Sequence, residues 1–274
     1  MPFTLIKGKY RPLAGIPDGD SLRFRANNLA LWKKLEGAPV ELGKGPETKD
    51  TVQLRLEAID AIEKGATKPL SEKARDNLFK RIAFDATTNP QPDGYILARM
   101  TDDKTRRPIC FIFSGKTTLV DGSSVHLDTK LLRKSANYQQ MLDGYAYPLY
   151  YNTLFASLRD EFTSAFHLAN KAKRGYWPSD KTMQGVTVTG KASLASIPPI
   201  WPKLWRRLET HLRKNPSLKG FIDFLGKENE RLDILTIMEE RGLQDIVKVT
   251  GNKVRLTVSP ENIRVVGQAG KRPR

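Results

Sequence analysis

Polar and apolar positions alternate along Ser21-Leu22-Arg23-Phe24-Arg25-Ala26, the pattern of a strand with one face buried and the other wet. The Asp-Gly turn at Asp18-Gly19 leads into it, and Leu5-Ile6-Lys7-Gly8-Lys9-Tyr10 upstream predicts a companion strand. Val52, Leu54, Leu56 and Ala58 share one face of a further strand over 52–59, with Gln53, Arg55 and Glu57 on the other. Residues 27–50 are charged and interrupted by Gly37, Gly43, Gly45 and Pro46, which predicts an extended insertion with one short helical piece over 29–35. Gly94–Met100 and Ile109–Phe113 predict a hairpin across the charged turn from Asp102 to Arg107.

Helical spacing rules elsewhere. Ser71 opens a helix over about 72–82, with Ala74, Leu78 and Ile82 one turn apart. A short helix over 135–143 ends at Gly144, and a long one over 154–174 carries Leu158, Phe162, Ala165 and Ala169 as a stripe before Gly175. Beyond Asp180 the character changes: 184–193 is small and polar, a linker or edge strand. Trp201, Leu204, Trp205, Leu208 and Leu212 mark a helix over 201–213, and Leu218, Phe221, Ile222 and Leu225 mark a shorter one. Lys248–Val258 folds back through Gly251-Asn252 as a hairpin, and Gly270–Arg274 is expected to be a disordered tail.

Strands first, then a helix, a hairpin and two more helices suit a small barrel closed by helices better than an alternating βαβ sheet. The expected fold is α+β, mainly β. It comprises a five-stranded OB-fold-like (oligonucleotide-binding) barrel with three helices over 1–180, and a small accessory α+β module over 181–274 with two helices and a terminal hairpin.

Composition narrows the chemistry. Cys110 is the only cysteine, which excludes a disulfide scaffold, a CxxC zinc site and an iron–sulfur cluster. His126, His167 and His211 are widely separated, so a metal here is expected to be a hard cation on carboxylates. Lys and Arg number 46 against 30 Asp and Glu, a net charge of +16 that favours polyanionic partners. No apolar run of about 18 residues suggests a membrane span, and Met1–Lys9 has no signal-peptide stretch, so a cytoplasmic protein is expected.

Three short segments could build one site. Asp20 follows Asp18-Gly19. Arg55 lies within a strand that ends near Asp60 and Glu63, and Arg106-Arg107 opens the return strand of the hairpin. Hydrolysing a phosphodiester requires neutralised non-bridging oxygens and a positioned water. Two converging aspartates call for a cation between them, and arginines offer permanent, bidentate phosphate clamps. Glu63 could reach a neighbouring water.

This set, Asp18-Gly19-Asp20-Ser21, Arg55…Asp60-Ala61-Ile62-Glu63 and Arg107 before an apolar strand, resembles the staphylococcal nuclease family. The likeness extends to Met141–Tyr147 and to Ala169–Trp177, covering about 3–178. It implies an OB-fold barrel that hydrolyses DNA and RNA with Ca²⁺. Asp20 and Asp60 would be side-chain calcium ligands and Ala61 a carbonyl ligand. Arg55 and Arg107 would grip the phosphate, Glu63 would act on the attacking water, and Tyr150 would pack against the nucleotide. Ile62 stands where the family usually has Pro, Ser21 where it usually has Thr, and Arg106 beside Arg107 leaves room for the phosphate assignment to slip by one. The alternative expectation is a non-catalytic nucleic-acid-binding barrel whose C-terminal module binds a protein partner.

Overall fold

A computed structural model describes residues 2–267; the tail expected at Gly270–Arg274 lies outside them. The chain opens with β1 (Phe3–Arg11), β2 (Arg23–Ala26), a 3-10 turn (Leu29–Lys34), β3 (Val52–Gln53), β4 (Arg55–Leu56) and β5 (Ile59–Asp60). Then come α1 (Lys68–Arg81), β6 (Asp93–Thr101), β7 (Pro108–Ser114), β8 (Ser124–Val125), α2 (Thr129–Leu132) and α3 (Ala136–Leu142). These are followed by β9 (Tyr147–Pro148), β10 (Tyr150–Tyr151), α4 (Ala156–Lys171), β11 (Val186–Thr187), a 3-10 turn (Lys191–Ala195), α5 (Pro202–Leu212) and α6 (Phe221–Glu228). The remainder is β12 (Arg231–Ile234), β13 (Glu239–Gly242), α7 (Leu243–Ile246), β14 (Val247–Thr250), β15 (Lys253–Leu256), a 3-10 turn (Pro260–Asn262) and β16 (Ile263–Val265). The fold is α+β and mainly β. Among the described residues no helix is long and apolar enough to cross a membrane.

Two compact units emerge, and they do not divide at residue 180. The first runs from the N-terminus to Glu57 and again from Ala74 to Gln140; the second holds Ala58–Lys73 and the chain from Met141 onward. Residues 141–180, expected to complete the barrel domain, thus group with 181–274. Buried residues of α5 and β16 pair or pack with β9 and β10, which explains the grouping.

In the first unit a sheet of order β3-β2-β1-β6-β7-β4, with β8 added on β1, nearly closes into a barrel. Leu54 alone separates β3 from β4, the two ends of that order, so one short stretch closes the sheet from both sides. Pairing is antiparallel except β4 with β7, where Arg55 faces Ile109. The strand expected over 52–59 is therefore three pieces. Ala58 has φ 71°, a left-handed conformation unusual for a residue with a Cβ, and it ends the extended run. The helix at 72–82 begins earlier than Ser71, at Lys68, with Pro69 accommodated in its first turn, where a missing N–H costs nothing. Inside the barrel Tyr10 is fully buried, and its hydroxyl donates to the Phe113 carbonyl (2.9 Å) and accepts from the Phe113 amide (3.1 Å).

The outer face of β1 and β2 is basic. Lys9 lies opposite Arg25 and Arg11 opposite Arg23. Like charges directly across a ladder oppose pairing. Lys9 is partly offset by Asp93 (2.7 Å) and Arg25 by Asp50 (3.5 Å).

The second unit contains a sheet β10-β16-β12-β13, a sheet β11-β15-β14 and the pair β5-β9. The 184–193 stretch supplies β11 as an edge strand on β15, and the Gly251-Asn252 hairpin forms as expected. The apolar stripe of α5 is buried throughout. Two indoles nail this helix down: Trp201 Nε1 donates to the Pro148 carbonyl and Trp205 Nε1 to the Leu194 carbonyl, each at 3.1 Å. Pro148 is the residue paired with Ile59 of β5, so α5 is anchored one strand away from Asp60.

Candidate functional site

Two amides on α3 assemble the first unit's share of the predicted residues. Asn137, fully buried, donates to the carbonyls of Glu57 and Cys110 (3.0 Å each) and accepts from the Ile112 amide (3.0 Å). It thereby ties the end of β4 to β7. One helical turn on, Gln140 donates to the Gly19 carbonyl (2.7 Å), which fixes the Asp18-Gly19-Asp20 turn. Within that turn Asp18 is structural: its Oδ1 accepts from the Asp20 amide (3.2 Å) and the Ser21 hydroxyl (2.8 Å). The Asp20 carbonyl accepts from the Leu56 amide (3.1 Å), which sets Asp20 beside β4.

Arg55 opens β4 and pairs with Ile109, two residues past Arg107. Asp20, beside β4, and Arg107, just before β7, therefore flank the strand pair that Arg55 belongs to. At the 102–107 turn Arg106 takes a left-handed backbone (φ 54°), its amide donating to the Asp102 carbonyl (2.7 Å). Arg106 is exposed, whereas Arg107 stands immediately before β7, half-buried, with Nε donating to the Thr105 hydroxyl (3.1 Å). The backbone thus distinguishes two arginines that are equivalent in the sequence.

Arg55 has a partner that sequence reasoning missed. Its Nη1 donates to Asp102 Oδ2, a close ion pair with both side chains mostly buried. Asp102 Oδ1 meanwhile accepts from the amides of Lys104 (3.1 Å) and Thr105 (2.8 Å). Burial alone would raise the Asp102 carboxyl. The Thr105 amide and the Arg55 guanidinium outweigh it and hold the group below the ordinary carboxylate range. An Asp-x-x-Thr spacing at a turn signals this local capping, but not the bond to Arg55.

The second unit holds the other predicted residues. Asp60 ends β5 opposite Tyr147 and is 3% exposed; Ala61 and Ile62 beside it are equally buried, and Glu63 starts the turn closed by the Ala66 amide (2.9 Å). Arg206, from α5, reaches both acids. Its Nη1 donates to Asp60 Oδ1 (2.8 Å) and to Glu63 Oε1 (2.6 Å), and its Nη2 to Asp60 Oδ2 (2.8 Å). This is a two-pronged guanidinium–carboxylate pair with a third charge-assisted bond. Burial would lower the Arg206 guanidinium, but Asp60 and then Glu63 reverse this and hold it well above its usual range. Nothing in the sequence marks Arg206, one of several basic residues flanking the α5 stripe and 146 positions from Asp60.

These acids do not fit a calcium ion in this conformation. Both oxygens of Asp60 are already acceptors of Arg206, and among the described residues no group of three or more His, Cys, Asp or Glu could hold a metal. Tyr150 also differs from the expectation that it packs on a nucleotide. It is fully buried, its hydroxyl shared with that of Thr163 (3.1 Å), and burial pushes that hydroxyl up. The region beside Glu63 that Trp205, Ile62 and Pro198–Pro199 line is a crevice of water-molecule size rather than a ligand pocket. No protein-family model matches the chain, and no curated protein matches it.

Proposed function

We propose that this protein acts on the phosphodiester backbone of nucleic acids, as a nuclease cleaving DNA and/or RNA, with an OB-fold-like barrel as its scaffold and the cytoplasm as its compartment. The observation that carries this reading is that the backbone at Asp20 bonds to β4 through the Leu56 amide, while Arg55 of β4 pairs with Ile109, two residues past Arg107, with Asn137 and Gln140 of α3 holding these segments. Two guanidiniums are the apparatus that phosphoryl chemistry asks for: they neutralise non-bridging oxygens and add most where charge develops in the transition state. The basic pairs on β1 and β2 supply a field that draws a polyanion in. In this reading Arg55 exchanges Asp102 for a substrate phosphate; the water role of Glu63 stays what the resemblance implies. Asp60 and Ala61 keep the cation role as an expectation from the resemblance only, and no step is assigned to an ion.

A second reading has its own observation. In the first unit Arg55 is neutralised by Asp102 while the outer face of β1 and β2 stays basic, which suits a barrel that binds nucleic acid without cutting it; in the second unit Arg206 neutralises Asp60 and Glu63. Its C-terminal module would then serve a protein partner. Plasmid DNA and single-stranded RNA incubated with the full chain, with Ca²⁺ or with chelator, separate the two. The nuclease reading expects cleavage that falls about 100-fold or more in Arg55→Ala and in Arg107→Ala, the scale of losing one transition-state donor. Salt-sensitive binding with no cleavage under either condition establishes the second reading instead.

A further inference from the structure

We propose that the loop from Pro12 to Pro17, between β1 and β2, is a wedge that inserts Leu13 and Ile16 between base pairs of double-stranded DNA while Arg11 and Arg23 hold the flanking phosphates. The proposal rests on the nuclease reading for the class of partner and names the form of that partner; the remainder comes from the loop itself.

Folding by itself favours burying large aliphatic side chains ahead of small ones. This loop does the reverse. Pro12 and Ala14 are buried, whereas Leu13 is 63% exposed and Ile16 68%. The backbone that presents them is set in advance. The Ala14 amide donates to the Arg11 carbonyl (3.0 Å), Gly15 takes a left-handed φ of 81°, and a proline fixes φ at either end. Two large apolar groups are thus held out in water on a preset frame, so a partner that covers them has little chain entropy to remove.

The charges beside the loop define that partner. Arg11 and Arg23 face each other on the last paired positions of β1 and β2, directly at the foot of the loop. Among the described residues neither forms an ion pair, whereas Lys9 and Arg25, two residues further from the loop, have Asp93 and Asp50. Arg23 Nη1 donates to the Thr51 hydroxyl (3.0 Å), a neutral acceptor that leaves its charge uncompensated, and a Cβ on Gly15 would lie 3.3 Å from its Nε. An anion spanning both guanidiniums relieves their repulsion across the ladder. Cations on the backbone with Leu, Ile or Pro between base steps is the combination by which apolar wedges enter duplex DNA. Single strands are held instead on aromatic faces, and residues 11–17 include no aromatic side chain. A flat anionic bilayer suits this loop less well, because the acidic Asp18 and Asp20 follow closely on Pro17. That same continuity serves a DNA substrate: Pro17 runs into the turn whose Asp20 carbonyl bonds the Leu56 amide, so the wedge adjoins the strand that carries Arg55.

The test uses the full chain, with chelator present, and a short DNA duplex carrying 2-aminopurine, a base whose fluorescence rises when it is unstacked. Wild type is expected to bind the duplex with a fluorescence rise. The double variant Leu13→Ser, Ile16→Ser is expected to bind at least about tenfold more weakly and to give no rise. Its slope of log affinity against log salt should stay that of wild type, because no phosphate contact is removed, whereas Arg23→Gln should lower that slope by about one. Both loop positions are exposed, so an unchanged thermal midpoint is expected; should the double variant not fold, Leu13→Ala, Ile16→Ala carries the same test. Equal affinity and fluorescence in wild type and variant overturn the proposal. So does tighter binding of the corresponding single strand than of the duplex, or a variant that loses binding to phosphatidylserine vesicles but none to DNA. Unstacking by a wild type that cleaves nothing when Ca²⁺ is restored keeps the wedge and removes the nuclease reading, while cleavage without unstacking, unaltered in the double variant, removes the wedge alone.

Discussion

Replacing Glu230 by Gln is expected to cost the second unit about 3 kcal/mol at neutral pH, and almost nothing near pH 2. Glu230 accepts from Lys203 Nζ (2.5 Å) and from Arg207 Nε (3.0 Å). Burial works against its ionisation, but Arg207 and Lys203 prevail and bring its pKa from 4.5 to about 2. That displacement, at about 1.4 kcal/mol per pKa unit, gives roughly 3 kcal/mol of stabilisation of the charged form. The side chain is 15% exposed, so solvent screening removes little of it. A folded-state pKa below the unfolded one means the contribution is fully present above about pH 4.5. It disappears as pH falls from there through about 2. A second route to the magnitude agrees: breaking a buried pair by removing one partner costs ~3–5 kcal/mol, because Lys203, 7% exposed, is left without its counter-charge. Urea unfolding followed by tryptophan fluorescence is a suitable assay, since Trp177, Trp201 and Trp205 all lie in this unit. Wild type and Glu230→Gln would be compared at pH 7 and at pH 2.5. A loss that is the same at both pH values would refute the electrostatic account in favour of packing, and a loss under about 1 kcal/mol at pH 7 would refute the burial argument itself.

Two further outcomes are expected. Arg11→Gln and Arg25→Gln on the basic face of β1 and β2 should each lower the slope of log affinity against log salt by about one for any nucleic acid bound there, with little change in stability; unchanged slopes would move the polyanion elsewhere. Gly175→Ala should destabilise by at least about 2 kcal/mol in chemical denaturation, whereas Gly251→Ala should cost only about 1. Both glycines have positive φ, but a Cβ at Gly175 falls 2.1 Å from the Gly144 carbonyl oxygen, while one at Gly251 meets nothing within 4 Å.

The elements that proved legible share one property: the signal that marks each is local in sequence. The β6–β7 hairpin, the Gly251-Asn252 hairpin and the stripes of α4 and α5 announce themselves because spacing and turn residues are local information. The 52–59 stretch misled for the opposite reason. Its period-two pattern is real, but the switch from β2 as partner to β7 and the left-handed Ala58 are set by tertiary closure. Strand β13 was not expected at all: Glu239-Glu240-Arg241 is polar throughout, and its pairing with β12 is reinforced by the Arg231–Glu240 ion pair rather than by apolar alternation. Of the candidate residues, Asp20, Arg55 and Arg107 in the first unit and Asp60 and Glu63 in the second each sit at or beside a turn or strand end, and that local placement is legible in the sequence. The partners of Arg55, Asp60 and Glu63 are not, since a salt bridge 47 residues away for Arg55, or 146 and 143 away for the two acids, leaves no periodic trace.

The parallel pairing of β10 with β16 has a consequence for how the protein is made. Tyr150 and Tyr151 bond to a strand at Arg264–Val265, more than a hundred residues later in synthesis. A nascent chain that has already produced α4 still lacks this neighbour, and the exposed strand must wait in an unfinished state while the rest is translated. Any ribosome pause before residue 265 therefore prolongs a vulnerable intermediate, and a truncated product ending at 180 carries tyrosines whose backbone has no ladder to join.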